Sequence, residues 1–244
     1  MTDFRLPFSE NDVRGLHLGE SLRLSGRIYT ARDAAHKRLA AQSERGEASL
    51  GWCGAVHGLA AEASLEHGEA SLRGASRPAH PTGLTAKARP TDLAGCPYLP
   101  DVTGGVLYHC GPVIVREDDG WRVTAAGPTT SIREEPYMPE VIRKYGIRAI
   151  IGKGGMGEGT KRACQEYGCV YLHAVGGAAQ VIAACIRKVT NVYMLEEFGA
   201  PEALWELEVE DFPVIVTMDC HGNSLHEQIL QESSAKLKEL LEVK

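Results

Sequence analysis

At 244 residues the chain is long enough to bury a full core, and with 26 Lys and Arg against 32 Asp and Glu its formal charge is -6. That balance excludes a protein that holds nucleic acid by bulk electrostatics, so any anion must be gripped locally. No stretch approaches the roughly 20 consecutive apolar residues that span a bilayer, and the start Met1-Thr-Asp-Phe-Arg5 lacks the apolar core of a signal peptide, so a cytoplasmic protein without membrane contact is expected.

Residues 21–30, Ser21-Leu-Arg-Leu-Ser-Gly-Arg-Ile-Tyr-Thr30, alternate Leu22 and Leu24 with polar neighbours before Ile28 and Tyr29, which predicts a strand broken at Gly26. Ala31-Arg-Asp-Ala-Ala-His-Lys-Arg-Leu39 then reads as a helix capped by Asp33. Arg32 falls at the strand-to-helix junction, where a side chain can face a cleft. The alternative for Arg32 and His36 is a solvated helix face. From about 41 to 94 the texture changes to Gly, Ala, Ser, Glu and Pro, and Gly46-Glu-Ala-Ser-Leu50 recurs as Gly68-Glu-Ala-Ser-Leu72. Two copies of so short a unit make no solenoid, so a mobile insertion within one domain is expected, with a short helix over 59–66.

Strands are predicted over 105–108, 113–115 and 121–125, the last two joined by an acidic turn at 117–120. Gly127-Pro-Thr-Thr-Ser-Ile-Arg133 follows at a strand end. There the hydroxyls of Thr129, Thr130 and Ser131 either face a ligand beside Arg133 or cap a helix over 134–145. Beyond it the pattern alternates: strand 149–151, a glycine loop, helix 160–167, strand 170–172, a Gly176-Gly177 turn, helix 178–188, strand 192–195, a helical stretch 201–207 and strand 214–218. Such alternation predicts an α/β fold with a mostly parallel sheet flanked by helices, and ligands gathered at the carboxyl ends of its strands. The amphipathic tail over 225–243 reads as a packing or partner helix.

The glycine loop, Gly152-Lys-Gly-Gly-Met-Gly-Glu-Gly159, can bring free N–H groups and a helix N-terminus against an anion, with Lys153 adding a full charge. A Walker loop is excluded because Lys153 precedes the last glycine. The dinucleotide fingerprint Gly152-x-Gly154-x-x-Gly157 is present, but the next strand ends in His173 and not in the acid that would hold a ribose. A small-anion site at Lys153 and a purely connecting turn both remain.

The seven cysteines, at 53, 96, 110, 164, 169, 185 and 220, contain no C-x-x-C pair. Neither a disulfide framework nor a self-contained iron-sulfur or zinc site is therefore indicated, and no metal ligand is assigned to this chain. Cys185 reads as a small buried hydrophobe in an apolar helix, and Cys220-His221 is at most half of a metal site.

Several stretches together resemble one family, the β subunit or C-terminal domain of class I iron-sulfur fumarate hydratases and tartrate dehydratases. They are Leu24 to Leu39, Tyr108-His-Cys-Gly-Pro112, Gly127-Pro-Thr-Thr-Ser131 with Arg133, Ile151-Gly-Lys-Gly-Gly155, Gly176-Gly-Ala-Ala179 and Leu207-Glu-Val-Glu-Asp-Phe-Pro213. The resemblance implies a swivelling β/β/α domain and a half-enzyme, a hydro-lyase subunit that hydrates fumarate to malate or dehydrates tartrate. It also implies a hetero-oligomer with an α subunit that carries the 4Fe-4S cluster. By motif, Arg32, Arg133 and Lys153 would bind the dicarboxylate and Thr129 would take the proton from carbon, with His36, Gly111, Thr130, Gly152 and Gly154 supporting them. After Arg133 the family usually carries Met-Asp where this chain has Glu134-Glu135. The alternative is a diverged, non-catalytic domain that binds a dicarboxylate or acts as a regulatory partner.

Overall fold

The computed structural model describes residues 1–42, 99–118 and 120–242. In chain order its elements are β1 (Thr2–Arg5), α1 (Glu10–Arg14), β2 (Ser21–Thr30), α2 (Asp33–Ala41), β3 (Val106–Tyr108), the hairpin β4 (Val113–Glu117) and β5 (Gly120–Ala125), and a 3-10 turn (Ser131–Glu134). There follow α3 (Met138–Tyr145), β6 (Ala149–Gly152), α4 (Glu158–Tyr167), β7 (Val170–His173), α5 (Ala179–Ala184), β8 (Ile186–Tyr193), α6 (Leu195–Phe198), β9 (Leu204–Met218) and α7 (Leu225–Glu242).

Strands β2, β3, β6 and β7 run parallel in that order, but the strands expected over 192–195 and 214–218 fall in β8 and β9, which pair antiparallel, so the sheet is mixed and not mostly parallel as the alternating pattern predicts. β9 then pairs antiparallel with both β7 and β2, so the five strands close on one another like a barrel, with β1 added on β2 and β8 on β9. Closure removes the free edges that an open sheet of these strands would expose. Alternate residues of each strand then serve two cores. Leu24, Tyr108, Ile151 and Leu172 fall in one, and Leu107, Ile150 and Tyr171 fall in the other, against Val141 and Ile142 of α3 and Cys164 of α4.

Residues 186–218 depart from expectation. The helix predicted to reach 188 ends at Ala184, and the helical stretch over 201–207 is instead the start of a 15-residue strand. The cause is a change of phase. Trp205, Leu207 and Val209 are buried at odd positions, and Phe212, Val214 and Val216 at even ones. Asp211, at φ 54°, takes up the extra residue as a bulge opposite Leu24 and Gly26, its N–H donating to Ser25 Oγ at 3.1 Å. Cys185 accordingly caps α5 half-buried and does not lie within a buried helix. Helix α7 follows the predicted tail. The insertion expected over 41–94, with its short helix, lies outside the described residues from 43 onward. No helix among the described residues is long and apolar enough to cross a membrane.

Candidate functional site

Because β2, β3, β6 and β7 are parallel, their carboxyl ends open at one end of the barrel. Arg32 follows β2, His109 to Gly111 follow β3, Lys153 follows β6 and the Gly176-Gly177 turn follows β7. The segment after β5 crosses this mouth between the first three. Cys110 bridges Pro128 and Thr130 bridges Lys153, while the Thr129 N–H donates to the His109 carbonyl at 2.6 Å and the Ser131 N–H to the Lys153 carbonyl at 3.0 Å. Lys153 Nζ reaches back to donate to the Pro128 carbonyl at 2.9 Å. Thr129, Thr130 and Lys153 are thus neighbours.

The two arginines meet at the first turn of α2. Arg32 is its N-cap residue, without a side-chain cap bond, and Asp33 is the first helical residue, so the expected Asp33 cap is not formed. Asp33 pairs instead with Arg133, which the 3-10 turn carries four residues beyond Thr129. Glu202 performs the capping from the loop before β9: Oε2 accepts the Ala34 N–H at 3.0 Å and Oε1 lies 3.3 Å from Arg32 Nη1. A side chain at Gly111 would put Cβ 2.7 Å from the Pro201 carbonyl and 2.8 Å from Arg32 Nη1, so only glycine lets this loop and Arg32 close together.

Gly152 works similarly. A Cβ there would lie 1.9 Å from Ser131 Oγ and 2.9 Å from Tyr171 OH. Ser131 is held in that space by the Tyr171 hydroxyl at 2.8 Å. Neither the 3-10 turn nor α3 has a side-chain cap, so helix capping does not account for Thr129 to Ser131.

The glycine loop does take positive φ, 81° at Gly154 and 77° at Gly155, yet the helix end behind it is closed from within. Glu135 Oε2 accepts the Gly157 N–H and the Thr160 hydroxyl, each at 2.7 Å, and Oε1 accepts the Thr160 N–H at 3.0 Å. The anion at this helix N-terminus is the protein's own carboxylate. Of the sequence readings, an external anion or dinucleotide on these N–H groups is therefore corrected, while Lys153 lies outside that cap.

His36 is fully buried and not on a solvated face. Its Nδ1 donates to the Arg32 carbonyl at 3.0 Å and lies 3.5 Å from Glu134 Oε2, and its ring meets His109 edge-on with centroids 4.8 Å apart. Burial lowers His36 to about 4 and holds His109 well below the usual histidine range. Burial, assisted by Asp33, pushes Glu134 up to about 8. Burial also pushes the Cys110 thiol up to about 12, against the favourable charge of Arg32. Glu202 carried no signal in the sequence, since it is tied to the mouth only through contacts distant in the chain, while His109 showed only as part of the Tyr108 to Pro112 motif and Glu134 only as an acid after Arg133.

Cys220 Sγ lies 3.9 Å from His221 Nε2, with His221 stacked on His17. Among the described residues no three His, Cys, Asp or Glu side chains gather as metal ligands, and Cys110, Cys164, Cys169, Cys185 and Cys220 are free.

Known proteins resemble this chain in sequence over most of its length. Over 235 residues the chain is 34% identical to a protein of Methanocaldococcus jannaschii provisionally named L(+)-tartrate dehydratase subunit beta, covering 96% of this chain and 95% of that protein. It is 28% identical over 220 residues to L(+)-tartrate dehydratase subunit beta of Escherichia coli strain K12, covering 90% and 83%. A protein of Geobacillus stearothermophilus provisionally named fumarate hydratase class I is 42% identical over 237 residues, which are 97% of this chain and 35% of that protein. The chain thus spans about a third of that relative's length. Residues 3–50 and 88–229 match the family model described as Fumarase C-terminus, and those stretches contain Arg32, Thr129, Arg133 and Lys153. On that match, which takes in the barrel strands and every side chain of the mouth, the chain belongs to the Fumarase C-terminus family.

Proposed function

We propose that this chain is the β half of a cytoplasmic hydro-lyase that reversibly hydrates fumarate to malate or dehydrates tartrate, in a hetero-oligomer with an α subunit. In this reading the chain is the swivelling β/β/α domain that closes over the partner's 4Fe-4S cluster. The described residues do not fit as ligands of such a cluster, since no three candidate side chains gather, and its chemistry is assigned to the partner.

The observation that carries the reading is that Arg32 and Lys153 follow parallel strands whose carboxyl ends open at one barrel mouth, and that the segment crossing this mouth carries Thr129 and Arg133, although the four are spread over half the chain. A dianion leaving water needs paired positive groups, and planar guanidinium forks suit carboxylates. Arg32 and Arg133 are both held by acids, Glu202 and Asp33, which keeps the forks ordered until substrate carboxylates replace those acids. Lys153 supplies the third cation. Thr129 is the group that takes the proton from carbon. A hydroxyl is a weak base unaided, and the positive charge of Lys153, whose Nζ is held 2.9 Å from the carbonyl of the preceding Pro128, favours its deprotonated form.

The test is production of the chain with and without its α subunit. The complex is expected to hydrate fumarate or dehydrate tartrate, and the isolated chain to be colourless and inactive. Stoichiometric iron with activity in the isolated chain contradicts the half-enzyme reading.

A further inference from the structure

One buried group at the mouth takes no part in that scheme. Glu134 follows Arg133 at the end of the 3-10 turn, fully buried, and neither carboxyl oxygen has a hydrogen-bond partner among the described residues. A carboxylate is costly in such a place and a carboxylic acid far less so. The charged and titratable groups that face it are known from each element. From α2 come His36, 3.5 Å away, and Asp33; from its own turn Arg133; from the loop before β9, Glu202. Arg32, the N-cap of α2, completes the set through its carbonyl on His36, and its Nε is also buried and unpartnered. Behind His36 stands His109, which follows β3.

This surrounding is nearly balanced without Glu134. Arg32 is matched by Glu202 and Arg133 by Asp33, and burial keeps His36 and His109 neutral. A charged Glu134 would be a third acid against two arginines.

We infer that Glu134 is a further affinity-determining residue of the mouth. With its proton on, Arg32 and Arg133 can exchange their acids for the carboxylates of a dianion; with its proton off, the buried carboxylate competes for the same guanidinium groups. The inference rests on the dicarboxylate reading and adds the condition under which the dianion is accepted. Burial places the loss of this proton at about 8, so the mouth is competent at neutral pH and loses affinity above it.

The test is the affinity of the complete complex with its α subunit for fumarate and for L-tartrate, measured by calorimetry from about pH 6.5 to about pH 9. Both probes are dianions throughout, since their carboxyls ionise near about 4, so their own protonation adds no slope. One pH unit above the Glu134 transition only about a tenth of the complex is competent, and the dissociation constant is expected to rise about tenfold. Glu134→Gln and Glu134→Met both remove the charge at similar volume, so either variant that folds is expected to bind with a flat profile. A rise that persists unchanged in the variants overturns this inference and leaves the site reading standing. Failure of both dicarboxylates to bind wild type and variants alike overturns both.

Discussion

Glu135 Oε2 accepts the Gly157 N–H at 2.7 Å, and with Oε1 on the Thr160 N–H at 3.0 Å it fills the N-terminus of α4. The glycine loop is therefore held in shape by an internal anion. Glu135→Ala leaves these donors without a partner and is expected to cost about 2 kcal/mol of stability, read as a lower urea midpoint at unchanged slope. Glu135→Gln, whose amide oxygen can still accept, should recover part of the loss. An unchanged midpoint in Glu135→Ala would show that the cap is not a stabilising element.

A methyl group at Gly152 meets Ser131 Oγ at 1.9 Å, and Ser131 cannot step aside because it is fully buried and bonded to Tyr171. Gly152→Ala is expected to lose on the order of 1 to 3 kcal/mol by thermal denaturation. It should also weaken dicarboxylate binding by the complex, since the displaced segment carries Thr129 and Thr130. Full stability with intact binding would contradict the packing described.

Much of this was legible in the sequence where local pattern and glycine punctuation agree. β6, the glycine loop and α4 fall where apolar run, glycines and helical period place them. The placement of Arg32 and Lys153 follows from that, because parallel strands put their carboxyl ends together. Of strand β9 only the end over 214–218 was legible, since one left-handed residue, Asp211, inverts its in-and-out pattern midway and hides the period of two. The partners of the arginines were not legible either. Asp33 and Arg133 are 100 residues apart and Glu202 caps α2 from 168 residues away, and no periodicity reports such contacts. The pair Glu134-Glu135 showed only as two acids. Their opposite fates, one buried without partners and one capping a helix, depend on which way each side chain leaves a 3-10 turn.

Stability should carry the mark of Glu134. Its folded pKa of about 8 lies above the roughly 4.3 of an unfolded glutamate, so its contribution is fully present below pH of about 4.3 and is lost as pH rises to about 8. Glu134→Gln does not titrate. Its unfolding free energy relative to wild type should therefore improve across that window, by on the order of 2 to 5 kcal/mol. His36, lowered to about 4, acts at the other end: its contribution is present above the unfolded value of about 6.5 and is lost as pH falls through about 4. Denaturant titrations at several pH values measure both. Parallel pH profiles for wild type and Glu134→Gln would place Glu134 in a solvated setting.

On the proposed reading, Lys153→Ala in the complex removes one charge-assisted contact to the dicarboxylate. A loss of about 1.5 to 3 kcal/mol, roughly ten- to a hundredfold in kcat/KM, is expected. The fold should be unaffected, because the Lys153 carbonyl bond to Ser131 is made by the backbone. A loss of stability equal to the loss of activity would mean that Lys153 braces the Pro128 loop and does not bind substrate.

The central claim is that Thr129 does chemistry at a mouth where Arg32, Arg133 and Lys153 hold a dicarboxylate. Its most direct test is Thr129→Ala in the complex with the α subunit, with kcat for fumarate hydration and tartrate dehydration measured beside the calorimetric affinity for both acids. The account predicts that turnover falls by roughly a hundred- to ten-thousandfold while the affinity stays within a few-fold of wild type. Undiminished turnover, or affinity lost in step with turnover, would contradict it.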